Sequence, residues 1–231
     1  MTLINDFLSL IYPRYCEACV NNLFKHETFI CNQCKINLPK SNYHQNSQNE
    51  LSQTFAGRVP LENSLCFYLF EKSGKVQKLL HAIKYQDQKE LAQFIGQLYA
   101  KDLTKEKALN DIDLIIPIPL HKKKLKTRGY NQSEWFAKGL ATELEKPLNI
   151  TSFERIQETD TQTKKKKYQR WENVEGIFKL NDPGLLVNKH VLLVDDVITT
   201  GATIEAAWLA LKETEGIRIS VISIAFAARK W

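Results

Sequence analysis

The stretch that decides the fold is VLLVDDVITTGAT, at residues 191–203. It begins with an apolar run, 191–194, that predicts a short buried β-strand. The run ends at two adjacent acids, Asp195 and Asp196. An unpaired carboxylate costs several kcal/mol to bury, so we expect this acidic pair at the open end of a sheet, where it faces solvent, a cation or a ligand.

Small residues follow the acidic pair and lead into a helix: Thr199, Thr200, Gly201, Ala202 and Thr203. Apolar residues then recur at helical spacing, at Ile204, Ala207, Trp208 and Leu211. The backbone N–H groups of such a turn converge on an anion, the helix adds the positive end of its dipole, and Gly201 can adopt a positive φ. Because the carboxylates suit a sugar diol or a hydrated Mg²⁺, the pattern predicts a ribose 5-phosphate site. The alternative is an ordinary strand–helix turn with a solvated acidic end.

This pattern resembles the 5-phosphoribosyl-1-pyrophosphate (PRPP) loop of type I phosphoribosyltransferases. The resemblance implies that Asp195 and Asp196 contact the ribose hydroxyls, that residues 199–203 wrap the 5-phosphate, and that Mg²⁺ accompanies PRPP. A Walker loop is excluded, because the chain contains no G-x-x-x-x-G-K-[ST] sequence.

Length and composition are those of an ordinary soluble protein. The 231 residues allow one sizeable domain with a small appendage, and 43% of them are hydrophobic while 25% are charged. A net charge of +6 favours anionic partners. No apolar run approaches the roughly 20 residues of a membrane helix, so we expect no membrane insertion and a cytoplasmic location.

A metal-binding pattern, C-x2-C-x11-C-x2-C, lies near the N-terminus and consists of Cys16, Cys19, Cys31 and Cys34. Two closely spaced thiolate pairs suit tetrahedral Zn²⁺ and leave no open position for catalysis, so we predict a structural zinc site. A disulfide framework or a redox C-x-x-C motif is the alternative, and His26 or His44 could replace one cysteine. Cys66 lies in an apolar run and is expected to be a buried packing residue.

Periodicity and turn residues divide the rest of the chain. Residues 40–58 are rich in Asn, Gln and Ser and predict a linker or a loosely packed excursion. Strands are predicted at 65–70, 113–118 and 219–225, and helices at 76–85, at 88–103 and from 131 onwards. We expect an α/β fold, a type I phosphoribosyltransferase-like parallel sheet flanked by helices, in which 219–225 is a central strand beside 191–194. A small zinc-binding domain with its linker would cover residues 1–60, and the α/β domain residues 61–231.

A basic segment follows the strand predicted at 113–118. Residues 121–129 carry five positive charges in what we predict to be a loop. Loops at the carboxyl ends of strands line the ligand crevice of an open α/β sheet. A solvated charged loop is the alternative, but the position favours a pyrophosphate loop formed by Pro119, Leu120, His121, Lys122 and Arg128. Asn131 is expected to cap the next helix, with Glu134 as its capping-box partner.

Residues 117–132, PIPLHKKKLKTRGYNQ, together with the cysteine pattern and the acidic turn closely resemble the ComF family of phosphoribosyltransferase-like proteins tied to DNA uptake in competent bacteria. Residues 154–178 lack a helical stripe, and the resemblance implies that they form a flexible lid over PRPP. Lysines interleaved with Tyr and Trp also suit single-stranded DNA, although a mobile solvated loop is the alternative. The predicted flexible-loop and DNA residues are Arg155, Gln162, Lys164, Lys165, Lys166, Lys167 and Arg170.

Three functions compete on this sequence. The first is a ComF-type protein of natural transformation that binds PRPP–Mg²⁺ and single-stranded DNA, with a competence or helicase-like protein as a further partner. The second is an active phosphoribosyltransferase that transfers ribose 5-phosphate to a nitrogen nucleophile, with cations neutralising the pyrophosphate leaving group. The third is a zinc-ribbon interaction module on a decayed transferase fold, against which the intact acidic pair and threonine turn argue. We favour the first, because the charge and the family resemblance support it and no base-recognition segment is recognisable.

Overall fold

The computed structural model describes residues 13–107, 109–157 and 176–228. Its helices are α1 (Asn32–Asn37), α2 (Glu50–Phe55), α3 (Lys75–Tyr85), α4 (Lys89–Glu106), α5 (Lys122–Arg128), α6 (Gln132–Leu144) and α7 (Ala202–Leu211). Its strands are β1 (Ser64–Leu69), β2 (Leu114–Pro117), β3 (Phe153–Arg155), β4 (Phe178–Leu180), β5 (His190–Ile198) and β6 (Arg218–Phe226). Short 3₁₀ helices lie at Tyr43–Gln45 and Pro183–Leu186.

The strands β6 and β5 form the centre of a parallel sheet whose order is β1-β6-β5-β2. Every residue of β6 after Arg218 is buried, as expected for a parallel strand covered on both faces. The α/β fold and the pairing of β6 with β5 are therefore confirmed. The strands β3 and β4 form a separate antiparallel hairpin.

Strand β5 is longer than predicted, because it continues through the acidic pair to Ile198. Asp195 lies opposite Ser223 and Ile198 lies opposite Phe226, so the apolar strand β6 keeps β5 paired beyond the acids. The prediction that the strand ends at Asp195 is wrong, since pairing with a buried neighbour outweighs the local polarity. The acids consequently belong to a central strand near its carboxyl end.

Alternating side chains of β5 divide the core into two layers. Leu192 and Val194 join the buried residues of α3, α4 and α6 on one face of the sheet. Val191 and Leu193 join the buried residues of α2 and α7 on the other face. This period of two follows from strand geometry, in which successive side chains face opposite sides. The result is a three-layer arrangement in which the segments after β2 and β5 meet at the carboxyl edge of the sheet.

The helical stripes predicted from periodicity are confirmed in α3 and α4. Val76, Leu79 and Ile83 are buried in α3, and Leu91 and Ile95 are buried in α4. The two predicted segments, 76–85 and 88–103, thus differ from the observed helices only by a few residues at their ends.

Helices α4 and α6 touch through two glycines. A Cβ atom on Gly96 would lie 2.3 Å from the carbonyl oxygen of Phe136, and one on Gly139 would lie 2.0 Å from that of Gln93. Real Cβ atoms do not approach backbone oxygens this closely, so any larger residue would push the helices apart. This contact fixes the position of α6, whose first turn reaches the acidic pair.

Residues 40–58 include a packed helix, so the prediction of a linker or a loosely packed excursion is wrong. Asn49 caps α2 in a capping box with Ser52, and Leu51 and Phe55 of this helix are almost completely buried. The polar composition is misleading because the segment is short, and two apolar residues at i and i+4 suffice to pack one turn against the sheet.

The cysteine segment packs on the face of the sheet that carries α4. The rings of Phe29 and Phe94 lie 5.6 Å apart, and the Lys35 ammonium lies 5.4 Å from the Phe94 ring centroid. Cys66 is fully buried in β1, as predicted. Where a boundary divides the N-terminal unit from the α/β domain stays a prediction. Among the described residues, no helix combines the length and the apolar composition needed to cross a bilayer.

Candidate functional site

Two hydrogen bonds hold the carboxylate of Asp195 within the fold. Its Oδ1 accepts from the backbone N–H of Asp196 at 2.8 Å and from the hydroxyl of Ser133 at 3.2 Å. Burial, reinforced by the negative charge of Asp196, raises the pKa of Asp195 to about 7. Because Ser133 lies in the first turn of α6, this helix fixes the direction in which the acid points.

The second acid faces a cation that belongs to the protein itself. The Nζ atom of Lys84 lies 3.0 Å from Oδ2 of Asp196, and the side chains of Lys84 and Asp196 are only 23% and 15% exposed. Lys84 is near the end of α3, which lies in the connection from β1 to β2. The acidic pair therefore carries one carboxylate held by hydrogen bonds and one held by an ion pair.

The turn at 199–203 presents the N-terminus of α7. Gly201 is the N-cap residue, with a φ of 78°, and it offers no side chain to the helix end. The hydroxyl of Thr200 accepts from the N–H of Ala202 at 3.4 Å. The remaining first-turn N–H groups of a helix have no intrahelical partner, and the helix dipole adds partial positive charge there. Such an end can bind a phosphate group through its backbone.

Two residues of the segment predicted as a linker support this turn. The ring of Phe55 lies so close to Gly201 that a Cβ atom there would be 2.5 Å from Phe55 Cε1. The guanidinium of Arg58 donates to the carbonyl oxygen of Thr200 at 3.2 Å and to Glu205 at 3.0 Å. Gly201 is thus required both by its positive φ and by the ring beside it. No motif in the sequence indicates this contact, since Arg58 and Glu205 are far apart along the chain.

The basic segment after β2 is a helix, so the prediction of a loop is wrong. His121 is the N-cap residue of α5, and its Nδ1 accepts from the N–H of Lys123 at 3.4 Å. Lysine, leucine and arginine are good helix formers, and Gly129, with a φ of 83°, ends the helix in a left-handed conformation. Pro119 and Leu120 precede the helix and are half-buried.

Two cations of α5 are tied to neighbouring elements. The Nζ atom of Lys122 lies 2.8 Å from Glu154 of β3, although Lys122 itself is exposed. Arg128 donates to Oε1 of Gln132 at 2.7 Å, and its guanidinium lies 5.9 Å from the ring of Tyr85. The structure therefore joins α5 to the hairpin and to α6. A role of these residues in pyrophosphate binding stays a prediction.

Asn131 caps α6 as predicted, since its Oδ1 accepts from the N–H of Ser133 at 3.2 Å. Its amide also donates to the carbonyl oxygen of Ile118 at 3.0 Å, which connects the helix to the end of β2. The expected capping-box partner is wrong: Glu134 instead pairs with Lys138 at 2.7 Å, one turn along the helix.

One residue of the predicted flexible loop, Arg155, interacts electrostatically with Asp195. Arg155 is at the end of β3, with its guanidinium 5.4 Å from the Phe178 ring. Burial lowers the pKa of Arg155, and the negative charge of Asp195 opposes this shift. The other predicted loop and DNA residues lie outside the described residues: Gln162, Lys164, Lys165, Lys166, Lys167 and Arg170.

The four N-terminal thiols form a cluster, with all Sγ atoms of Cys16, Cys19, Cys31 and Cys34 within 4.8 Å of one another. The Sγ atoms of Cys19 and Cys31 lie 3.7 Å apart, too far for a disulfide. Tetrahedral zinc with Zn–S bonds of about 2.3 Å requires S···S separations of about 3.8 Å. The cluster can therefore hold a metal ion such as zinc. His26 instead contacts Asn32, and His44 packs against Tyr99.

Comparisons with known proteins match this chain to one domain family and to several curated relatives. The profile of the phosphoribosyl transferase domain family matches residues 131–230. DNA utilization protein YhgH of Escherichia coli O157:H7 is 29% identical over 138 residues, which cover 58% of this chain and 60% of that protein. Competence protein F of Haemophilus influenzae is 29% identical over 153 residues (64% and 67%), and competence protein ComFC of Bacillus subtilis is 34% identical over 100 residues (43% and 38%). The chain thus spans about 60% of the length of the YhgH proteins that it matches.

The raised pKa of Asp195 predicts a pH dependence of stability. Since the pKa of Asp195 is raised from 3.8 to about 7, the folded state holds a proton that the unfolded state loses between about pH 4 and pH 7. The free energy of unfolding should therefore fall as the pH rises through this window. In Asp195→Asn this contribution should vanish, leaving the variant about 1–3 kcal/mol more stable than the wild type at pH 8 and similar near pH 4.

Urea unfolding at a series of pH values measures this difference, with Asp182→Asn, a substitution at an exposed acid, as the control. Parallel stability–pH curves for the wild type and Asp195→Asn would show that Asp195 ionises normally.

Proposed function

We propose that this chain belongs to the ComF family and acts in the uptake and handling of DNA during natural transformation, with a site that binds PRPP–Mg²⁺. The names of its relatives, which refer to competence and DNA utilization, support the cellular role. The match to the phosphoribosyl transferase domain supports the ligand class.

One observation carries the ligand proposal: only the last two residues of β5 and a short turn at 199–201 separate the acidic pair from the N-terminus of α7. A phosphate on the backbone N–H groups of 201–204 and a diol on Asp195 and Asp196 require these two features side by side. Ribose 5-phosphate carries both groups in one small molecule. Mg²⁺, when bound with PRPP, would supply positive charge for the pyrophosphate, and the acidic pair is the donor set in this site that suits it.

Removing the acidic pair should weaken PRPP–Mg²⁺ binding without unfolding the protein. In the double variant Asp195→Ala, Asp196→Ala we expect at least a 30-fold loss of affinity, since each charged hydrogen bond contributes about 1.5–3 kcal/mol. Titration calorimetry measures the affinity, and Asp182→Ala with Glu213→Ala removes the same charge at exposed positions as a control. An unchanged affinity in the acidic-pair variant would place the ligand elsewhere.

Because the chain matches a transferase domain, catalysis of phosphoribosyl transfer is the second candidate function. A transferase would release pyrophosphate from PRPP when a nitrogen nucleophile is present, whereas a binding protein would not. Incubation with PRPP–Mg²⁺ and a panel of bases and amines separates the two functions.

We further propose that the segment between β3 and β4 contributes to binding of single-stranded DNA. Its sequence interleaves Lys164, Lys165, Lys166 and Lys167 with Tyr168 and Trp171, a combination that attracts phosphates and stacks bases. The segment begins after β3 and ends at β4, which pair as a hairpin, and Arg155 at the end of β3 interacts electrostatically with Asp195.

Neutralising these four lysines should reduce the salt dependence of DNA binding. Each phosphate contact on a single strand contributes about −0.7 to the slope of log K against log salt, so the slope should become shallower by about 2–3. Fluorescence anisotropy with an oligonucleotide at several salt concentrations measures it. The control neutralises four exposed lysines on α3, α4 and the turn before α3: Lys72, Lys75, Lys78 and Lys101. Equal slopes for wild type and variant would move the DNA site away from this segment.

The thiol cluster, in this proposal, holds one structural zinc ion. Four protein ligands complete the tetrahedron, so the metal would stabilise the N-terminal segment and take no part in chemistry. The short helix α1 and the hydrogen bond from the Cys31 N–H to Cys16 Sγ, at 3.3 Å, orient the thiolates.

Loss of a cluster thiol should remove the metal. We expect one zinc per chain in the wild type and in Cys66→Ala, and less than a tenth of that in Cys16→Ser, by elemental analysis. Hydrogen exchange should accelerate in residues 13–41 of Cys16→Ser while β5 stays protected, because zinc contributes about 10–16 kcal/mol in isolated finger peptides. Full zinc content in Cys16→Ser would reverse the assignment.

A further inference from the structure

The ion pair of Lys84 with Asp196 occupies the place where the ribose diol is proposed to bind. The pair joins α3 to β5 at 3.0 Å, and both side chains are mostly shielded from solvent. Lys84 lies outside residues 131–230, which match the phosphoribosyl transferase domain. Neither the acidic motif nor the basic segment after β2 includes it.

The two acids are held in different ways, and only one can change partner easily. Asp195 accepts from Ser133 and from a backbone N–H, both fixed by the fold. Asp196 pairs instead with a single ammonium at the end of a flexible four-carbon stem. A lysine makes no bidentate contact, so it can leave a carboxylate when other charges replace it and when its ammonium finds another anion nearby.

From this arrangement we infer that Lys84 is an exchangeable counter-ion which selects ribose phosphates that carry a pyrophosphate. In the structure it pairs with Asp196. When PRPP–Mg²⁺ binds, the ribose hydroxyls and the cation take over Asp196, and Lys84 moves to an oxygen of the pyrophosphate. The inference rests on the proposed function of the site.

The preference for PRPP over ribose 5-phosphate follows from the partner that Lys84 has after each ligand binds. With PRPP, the broken ion pair is replaced by a new one to the pyrophosphate. With ribose 5-phosphate, which has no second anionic group near carbon 1, the ion pair must break without replacement. The cost of leaving a shielded charge without its partner is large compared with a surface pair. The wild-type protein should accordingly bind PRPP–Mg²⁺ much more tightly than ribose 5-phosphate.

The test uses Lys84→Met and measures both ligands with Mg²⁺ by calorimetry. Affinity for PRPP should fall 10- to 100-fold, because the pyrophosphate loses a cation. Affinity for ribose 5-phosphate should stay unchanged or rise up to 5-fold, because no ion pair has to break. Lys84→Arg should retain most of the preference for PRPP, and Lys78→Met, at an exposed position of the same helix, should change neither affinity.

Opposite responses of the two ligands distinguish this role from a purely structural one. An equal loss of both affinities in Lys84→Met would overturn the role of Lys84 and leave the proposed site intact. If Lys84→Met misfolds, Lys84→Gln gives the same test, and an equal loss of both affinities has the same meaning. Wild-type protein that binds neither ligand would overturn the proposed function itself.

Discussion

The pairing of β5 with β6 places two adjacent carboxylates in the central strand of a parallel sheet. Partners from neighbouring elements compensate the charge of these carboxylates, and these partners determine the architecture of the site. Asp195 and Asp196 are held half-buried, because β5 continues to Ile198 in register with β6. Each acid therefore needs a partner from a neighbouring element. Ser133 comes from α6 and Lys84 from α3, so the helices on one face of the sheet are tied to its carboxyl edge.

The site also depends on contacts between the N-terminal part of the chain and the turn after β5. The turn after β5 is supported by Phe55 and Arg58, which belong to the segment that follows the cysteine cluster. That segment also pairs with β1, where Lys40 bridges to Tyr68. The N-terminal part of the chain is consequently a structural element of the candidate phosphate site, and its cysteines anchor one end of that support.

The sequence pattern predicted those elements whose burial depends on their own apolar residues. Strand β6 follows directly from a strongly apolar run, and helices α3 and α4 follow from apolar residues spaced at three to four positions. The errors concern segments whose conformation depends on distant partners. Residues 40–58 look polar, yet Leu51 and Phe55 belong to the same buried cluster as the apolar residues of α7. The acids look like a strand end, yet the apolar length of β6 extends the ladder past them.

The candidate site could be predicted in part, for a related reason. The acids and the threonine turn are adjacent in the sequence, so their pattern is visible. Lys84, Ser133 and Arg58 reach the site only through the fold, and each is an ordinary residue on a helix or in a turn when read alone. They are recognised only from their contacts in the structure. Lys84 forms an ion pair, Ser133 donates its hydroxyl to a carboxylate, and Arg58 donates to a carbonyl oxygen of the turn.

The most direct measurement is a crystal structure of the protein grown with PRPP and Mg²⁺. The proposed site predicts electron density for the 5-phosphate at the N–H groups of 201–204, with the ribose hydroxyls within hydrogen-bond distance of Asp195 and Asp196. Density for PRPP at any other position, with the Lys84–Asp196 ion pair unchanged, would contradict it.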